Sequence, residues 1–415
     1  MSKLTRIEKS WILYDWANSA YTLTITTTIL PLYFKSVAGD AGISAGDSTA
    51  YWGYANSIST LILALIAPIL GTIADYRGYK KKFFSFFVSL GLIFTAIMPL
   101  IPSNLWFLLL VLYIITAVGF SGANIFYDSF LVDVTTEENM DKVSANGFAW
   151  GYIGSTIPFI ICMALILLSE KGAIPISKSE ATKASFIITV LWWGLFSIPI
   201  FKNVKQVYGI DVEPNIVTKS FKRLINTFRN IRQHRALFLF LLAYFFYIDG
   251  VDTIIKMATS YGSDLGIDDQ SLLIILLATQ FVAFPFALLY GKLSQRFKGK
   301  KMLYVGIITY TLICIYAYFM KTKLDFWILA MLVGTSQGGI QALSRSYFGK
   351  LVPKEKSNEF FGFYNIFGKF AAIMGPAMVA FVTQITGKTN NGVFSIILLF
   401  VLGGLILTKV PEKNS

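Results

Sequence analysis

WILYDWANSAYTLTITTTILPLYF, Trp11–Phe34, is long and apolar enough to cross a bilayer, yet Asp15 sits about one helical turn inside it. Asn18, Ser19, Thr22 and Thr26 follow at i+3, i+4, i+7 and i+11 from that aspartate, so on a helix they form one polar stripe. A membrane helix with a carboxylate on one stripe needs a polar surface to face. The rest of the chain is expected to supply it as an internal cavity.

The chain has 415 residues, 55% hydrophobic and only 14% charged, with a mean hydropathy of +0.62. Soluble proteins carry about 25% charged residues. Apolar runs of about 20 residues recur along the whole length, which defines a polytopic helical membrane protein. A β-barrel is excluded, because barrel strands alternate over short segments and these runs do not. Cys162 and Cys314 lie in apolar runs and read as small core hydrophobes, not a disulfide or a metal pair. The only histidine, His234, sits in a basic loop, so neither a metal nor a cofactor is expected. The first apolar run is too long for a cleavable signal and carries Asp15. No Gly-rich phosphate loop is present, which argues against ATP-driven transport. No nucleophile–base set lies in a span, so an enzyme is not expected either.

Twelve spans are expected, at about 11–34, 51–74, 83–101, 105–132, 144–168, 184–201, 236–260, 271–293, 302–320, 326–348, 359–383 and 393–410. They divide the chain into an N-terminal six-helix bundle (1–202), a linker (203–235) and a C-terminal six-helix bundle (236–415). With a cytoplasmic N-terminus, most of the 36 basic residues fall in inner segments. The outer loops keep Lys35, Lys171, Lys178, Lys183, Lys321, Lys323 and Lys388. That asymmetry predicts a cell inner-membrane protein with both termini cytoplasmic. The formal charge of +13 is then a topology signal and a contact with anionic lipid heads, and no nucleic-acid partner is expected. In the linker, Phe221, Leu224, Ile225, Phe228 and Ile231 share one helical face, the pattern of a helix on the inner membrane surface.

The halves look like repeats. GTIADYRGYKKK, Gly71–Lys82, follows the second span, and GKLSQRFKGKK, Gly291–Lys301, follows the eighth. Gly147 and Gly154 in the fifth span match Gly362 and Gly368 in the eleventh. Such repeats are a sequence sign of secondary transporters. In the first loop Asp75 is expected to pair with Arg77, or to face a helix N-terminus across the halves, as a latch for one access state. Gln295 stands at the corresponding place in the second loop, so the charged latch is expected in the N-terminal half alone.

Seven ionisable groups lie inside spans: Asp15, Asp128, Asp249, Asp252, Lys256, Arg345 and Lys369. Each would cost about 2.5–3.5 kcal/mol facing lipid at mid-membrane, so most must face the bundle interior. Asp252 and Lys256 are spaced for a helical ion pair, as are Gln337, Gln341 and Arg345 for one face of the tenth span. Asp15, Asp128 and Arg345, about a turn from the inner ends, are expected to form an inner gate with Asp75 and Arg77. An Asp15–Arg345 contact is the central expectation. The substrate-contact set is Asn18, Thr22, Asn124, Asp249, Asp252, Lys256, Gln337, Gln341, Asn365 and Lys369. Asp249 and Asp252 are also the candidates for proton coupling, since burial favours a protonated carboxyl. The alternative is that these charges pair with one another and act only as latches.

The Gly71–Lys82 loop resembles the signature loop of the major facilitator superfamily at Gly71, Asp75, Arg77, Gly78, Lys80 and Lys81. That resemblance implies a twelve-helix, all-α fold in which spans 1, 4, 7 and 10 line a central cavity. YDWANSAY (Tyr14–Tyr21), IFYDSFL (Ile125–Leu131), AYFFYIDGVDTI (Ala243–Ile254), GGIQALSRSYFGKLVP (Gly338–Pro353) and FFGFYNIFGKFAAIMGP (Phe360–Pro376) look like the vacuole-effluxer-like family, whose fungal members are associated with amino-acid efflux. The function expected is a monomeric, proton-coupled secondary transporter moving a small polar or zwitterionic, amino-acid-like solute by alternating access. A lipid or lysolipid translocase of the same fold is the alternative.

Overall fold

The computed structural model describes residues 3–264 and 266–411. It is nearly all helix. The expected first span runs further than the sequence suggests, and it is not one regular helix. Thr5 caps α1 (Arg6–Ala20) in a capping box with Glu8. A π-helical segment, Tyr21–Ile29, follows, and α2 (Leu30–Asp40) completes the crossing. The π segment is dense in β-branched residues, which crowd an α-helical turn. Thr28 donates its hydroxyl to the Leu23 carbonyl at 2.9 Å, helping to satisfy the widened backbone.

The remaining spans are α3 (Ala45–Ala74), α4 (Tyr79–Ile97), α5 (Trp106–Ser129) with the short α6 (Leu131–Val134), α7 (Met140–Glu170) and α8 (Lys178–Asn203). After α9 (Ile216–Arg229) come α10 (Arg235–Asp264), α11 (Asp269–Phe297), α12 (Gly299–Phe319), α13 (Lys323–Leu351) and α14 (Ser357–Thr386). The last crossing is split into α15 (Thr389–Ser395) and α16 (Ile397–Thr408). Among the described residues, 11 helices are individually long and apolar enough to cross a membrane, and the broken first crossing makes the twelfth.

An even number of crossings brings both chain ends to one side, here named the terminal face. Within the N-terminal half α1 packs on α7 and α8, and α4 on α5; within the C-terminal half α10 packs on α14 and α16, and α11 on α13. The halves meet where α7 crosses α11 and α13, and where α3 crosses α14. Large apolar side chains such as Phe107, Leu195, Phe319 and Phe381 are exposed on the outside, as a lipid-facing surface requires. The buried aromatics Trp11, Tyr14, Tyr127 and Trp193 fill the core of the N-terminal half.

The linker helix packs on α3 through its polar side. On α9 the side facing α3 buries Ser220 and Thr227 and directs Arg223 inward, while Val217, Phe221 and Ile225 are exposed. Of the expected apolar stripe, Phe221 and Ile225 face outward and Leu224 is half-buried against the core, while the polar side makes the contact with α3. The side chains of Phe228 and Ile231 lie outside the described ones.

Candidate functional site

Arg345 closes the bundle toward the terminal face. It lies on α13 and reaches across to three N-terminal helices. Its Nη2 donates to Asp15 Oδ2 at 3.1 Å, its Nη1 to Asp128 Oδ1 at 3.2 Å and its Nε to Ser144 Oγ at 2.9 Å. Nη2 also meets the Ser144 carbonyl at 3.1 Å. Trp11 and Phe148 lie against the guanidinium, with ring centroids 4.7 and 4.4 Å away. The planar fork suits this arrangement as an ammonium would not, because it donates in several directions and stacks at once. The expected Asp15–Arg345 contact is present, and Asp128 joins it. Gly147 makes it possible: a Cβ there would collide with Asp15 Oδ2 and Arg345 Nη2. Ser144 had no signal in the sequence, since hydroxyls are common on every span.

Two further clasps lie closer to the terminal face. Asp141, at the start of α7, pairs with Lys350 at 2.7 Å and accepts from Ser346 at 2.7 Å. The sequence pointed to a charged latch in the N-terminal half alone, on the strength of Gln295. The C-terminal half instead meets an acid that its partner helix brings. The second clasp is Asp75. It accepts from the backbone N–H and the side-chain amide of Asn358, at 2.9 and 3.0 Å, at the first turn of α14. Arg77 does not join it. Arg77 is exposed and pairs with the exposed Asp211 at 3.3 Å, where its backbone N–H also donates to the Ile210 carbonyl at 2.9 Å. The cation that does meet Asp75 is Arg223 of α9, at 3.1 Å, and it also reaches Glu359 at 3.2 Å and the Thr72 carbonyl. Burial pushes the Asp75 carboxyl up to about 7, with Glu359 adding to the rise and Arg223 and Asn358 opposing it. Lys80 is fully buried and holds Asp133 at 2.6 Å and Ser357 at 3.0 Å.

Beyond Arg345, away from the terminal face, the halves separate around two joined chambers of about 490 and 430 Å³. Thr22, Asp128, Gln341, Arg345 and Asn365 line both. Asn18 donates to Asn124 at 2.7 Å in the wall of one, near Gln337. Asn365 donates to Asp128 at 3.2 Å, and Tyr152 to Gln341 at 3.3 Å. Asp252, Lys256 and Lys369 line the other chamber. The expected Asp252–Lys256 pair is not closed: neither Lys256 nor Lys369 makes a hydrogen bond or ion pair among the described residues. In a wet cavity, closing such a pair gains little.

Asp249 stands apart from its expected companions. It is fully buried behind the cavity wall, where its Oδ1 accepts from the Gly375 N–H at 2.9 Å. Its Oδ2 has no hydrogen-bond partner. Gly375 admits this approach, since a Cβ there would meet Thr253 Oγ1 and Asp249 Oδ1. Against the ten expected substrate contacts, the structure brings nine to the chambers and sets Asp249 behind them.

Two six-helix halves, clasped at one face by cross-half ion pairs and parted around a polar chamber, define a major facilitator-type transporter. The fold agrees with solved structures. The human organic anion transporter MFSD10 (TETRAN) superposes with a TM-score of 0.73 at 13% identity, over 97% of this chain and 99% of that one. The proton:xylose symporter XylE superposes with a TM-score of 0.71 at 13% identity, over 98% and 96%. The family model of vacuole effluxer Atg22-like proteins matches residues 45–415, and the chain belongs to that family. A Bacillus subtilis relative, described as the uncharacterized MFS-type transporter YxiO, is 65% identical over 100% of this chain and 97% of its own length. Autophagy-related protein 22 of Saccharomyces cerevisiae is 23% identical over 98% and 90%.

Proposed function

We propose that the chain carries a small zwitterionic, amino-acid-like solute through the cell membrane, coupled to protons, with the terminal face cytoplasmic. The observation that carries this reading is the charge split of the cavity. Its base sets two carboxylates, Asp15 and Asp128, against one guanidinium. The wall near Lys369 sets two ammonium groups, Lys256 and Lys369, against one carboxylate, Asp252. Lys369 is one helical turn from Asn365, which binds Asp128, so base and wall are about 6 Å apart along α14. A solute with an ammonium toward Asp128 and a carboxylate toward Lys369 matches both ends. An apolar chamber of about 110 Å³ between α10, α11 and α13 shares Ile255, Leu276, Gln280 and Gln337 with the polar one. Its size is close to the roughly 150 Å³ that accepts one benzene ring, which suits an apolar side group more than a lipid tail. The proton site is Asp249, a buried carboxylate with one unpartnered oxygen, next to Gly375 and Pro376 within α14.

Exchange and uptake in proteoliposomes test the reading. Free amino acids should exchange and compete, while N-acetylated and esterified forms should not. Lys369→Gln should raise KM. Asp249→Asn should keep exchange and lose accumulation driven by a pH gradient. Equal transport of anions that lack an amine, or movement of labelled lipid without solute flux, would sink it.

A further inference from the structure

A second site lies on the outer surface, apart from the transport cavity. Gly78 starts α4 with φ of 86°; no side chain caps that start, and the Tyr79 N–H donates to the Tyr76 carbonyl at 3.1 Å. From there one face of α4 carries Lys81, Lys82, Ser85, Phe86 and Ser89. Lys205 and Gln206, in the extended chain after α8, form the facing wall of a groove of about 760 Å³. Three lysines line this groove and no carboxylate does. Lys81 donates to the Val204 carbonyl at 2.9 Å, and Lys82 lies 5.0 Å from the Tyr79 ring centroid. Lys80, between the two flanks, turns the other way to Asp133. Neither Lys82 nor Lys205 has an ion pair among the described residues.

Ammonium groups and an uncapped helix start gathered around one space repel each other, and an anion relieves that repulsion. The groove also has an apolar end. α4 is a membrane span, Phe86 is exposed on its outer side, and Gly78 to Ser89 covers about 16 Å of helix. The ligand that fits has a phosphate at one end and hydrocarbon at the other. We propose that this groove binds an anionic phospholipid, with its phosphate at Lys82 and Lys205 and its chain along Phe86. The bound headgroup would brace the latch loop. Gln206 accepts from the Gly78 N–H at 2.9 Å and donates to the Ala74 carbonyl at 3.2 Å, next to the Asp75 that holds α14.

Native mass spectrometry and thermal unfolding of the whole chain in detergent test this, with phosphatidylglycerol, phosphatidylcholine and inorganic phosphate as probes. Phosphatidylglycerol should stay bound and raise Tm, and Lys82→Gln with Lys205→Gln should weaken its binding about 30-fold. Lys321→Gln with Lys388→Gln, at the other face, should leave it unchanged. Equal retention of phosphatidylcholine overturns the anionic specificity, and equal stabilisation by inorganic phosphate overturns the lipid. Hydrogen exchange on the unaltered protein is independent of how the variants fold. Phosphatidylglycerol should slow exchange at 78–82 and 204–207, and no slowing there refutes the site.

Discussion

Arg345 shows what one residue inside a membrane can and cannot reveal from sequence. Its charge, and those of Asp15 and Asp128, were legible because each is costly in lipid and must find a partner. The spacing of each acid from its helix end placed all three at one depth. The hydroxyl of Ser144 and the rings of Trp11 and Phe148 were not legible, since serines and aromatics line every span and only the packed structure says which ones meet the guanidinium. Removing one partner of a buried pair costs about 3–5 kcal/mol, because the other charges stay buried. Arg345→Gln is therefore expected to open the terminal-face gate and cut transport at least about tenfold, while Arg345→Lys restores charge without the fork and recovers only part. Asp15→Asn combined with Arg345→Gln should lose less than the sum of the single changes, because it removes one stranded charge. Proteoliposome exchange rates read all three, and full activity in Arg345→Gln would show that the cluster is not a gate.

The loop between α3 and α4 behaves as a unit with the first turn of α14. Its motif was readable from Gly71 to Lys81, including the option that Asp75 faces a helix N-terminus. Its cation was not. Arg223 comes from a helix that periodicity assigns to the membrane surface by its apolar side, and the polar stripe opposite carries the contact. The Asp75 carboxyl stands at about 7 in the closed clasp, chiefly because burial disfavours its charge; Glu359 adds to this, and Arg223 and Asn358 oppose it. Released to solvent, it would return to about 3.9. The closed clasp thus holds its proton more tightly than the open one. The resulting stabilisation is complete below about pH 4 and is lost as pH rises through 7. Spin labels or fluorophores across α3 and α14 should report more open clasp at pH 8 than at pH 6. Asp75→Asn should flatten that change and stay closed at both values. A wild-type distance distribution that ignores pH over this window would contradict the assignment.

At the scale of the whole molecule, the cross-half contacts described above all lie toward the terminal face. From Asp75 and Asp141 up to Gln341, they form a closed plug beneath a cavity that continues to Thr26 and Lys256. The two-bundle plan was legible from repeated loops and glycines. Which face is shut was not, because a transporter sequence encodes both access states and only the balance of contacts selects one. If the halves rock about Arg345, access to the cavity from the face opposite the termini should depend on that residue. Thr26 lines the chamber, and the native Cys162 and Cys314 are buried, so Thr26→Cys offers a thiol on a quiet background. A membrane-impermeant thiol reagent added from that face should label Thr26→Cys quickly. Adding Arg345→Gln removes the ion pairs that hold the plug, so the population should move toward the state that hides Thr26, and labelling should slow. A minor state raised from about 1% to an even mixture needs a change of about 2.7 kcal/mol, less than the loss expected for a broken buried pair. Unchanged labelling would mean that the plug is held by the Asp75 and Asp141 clasps without Arg345.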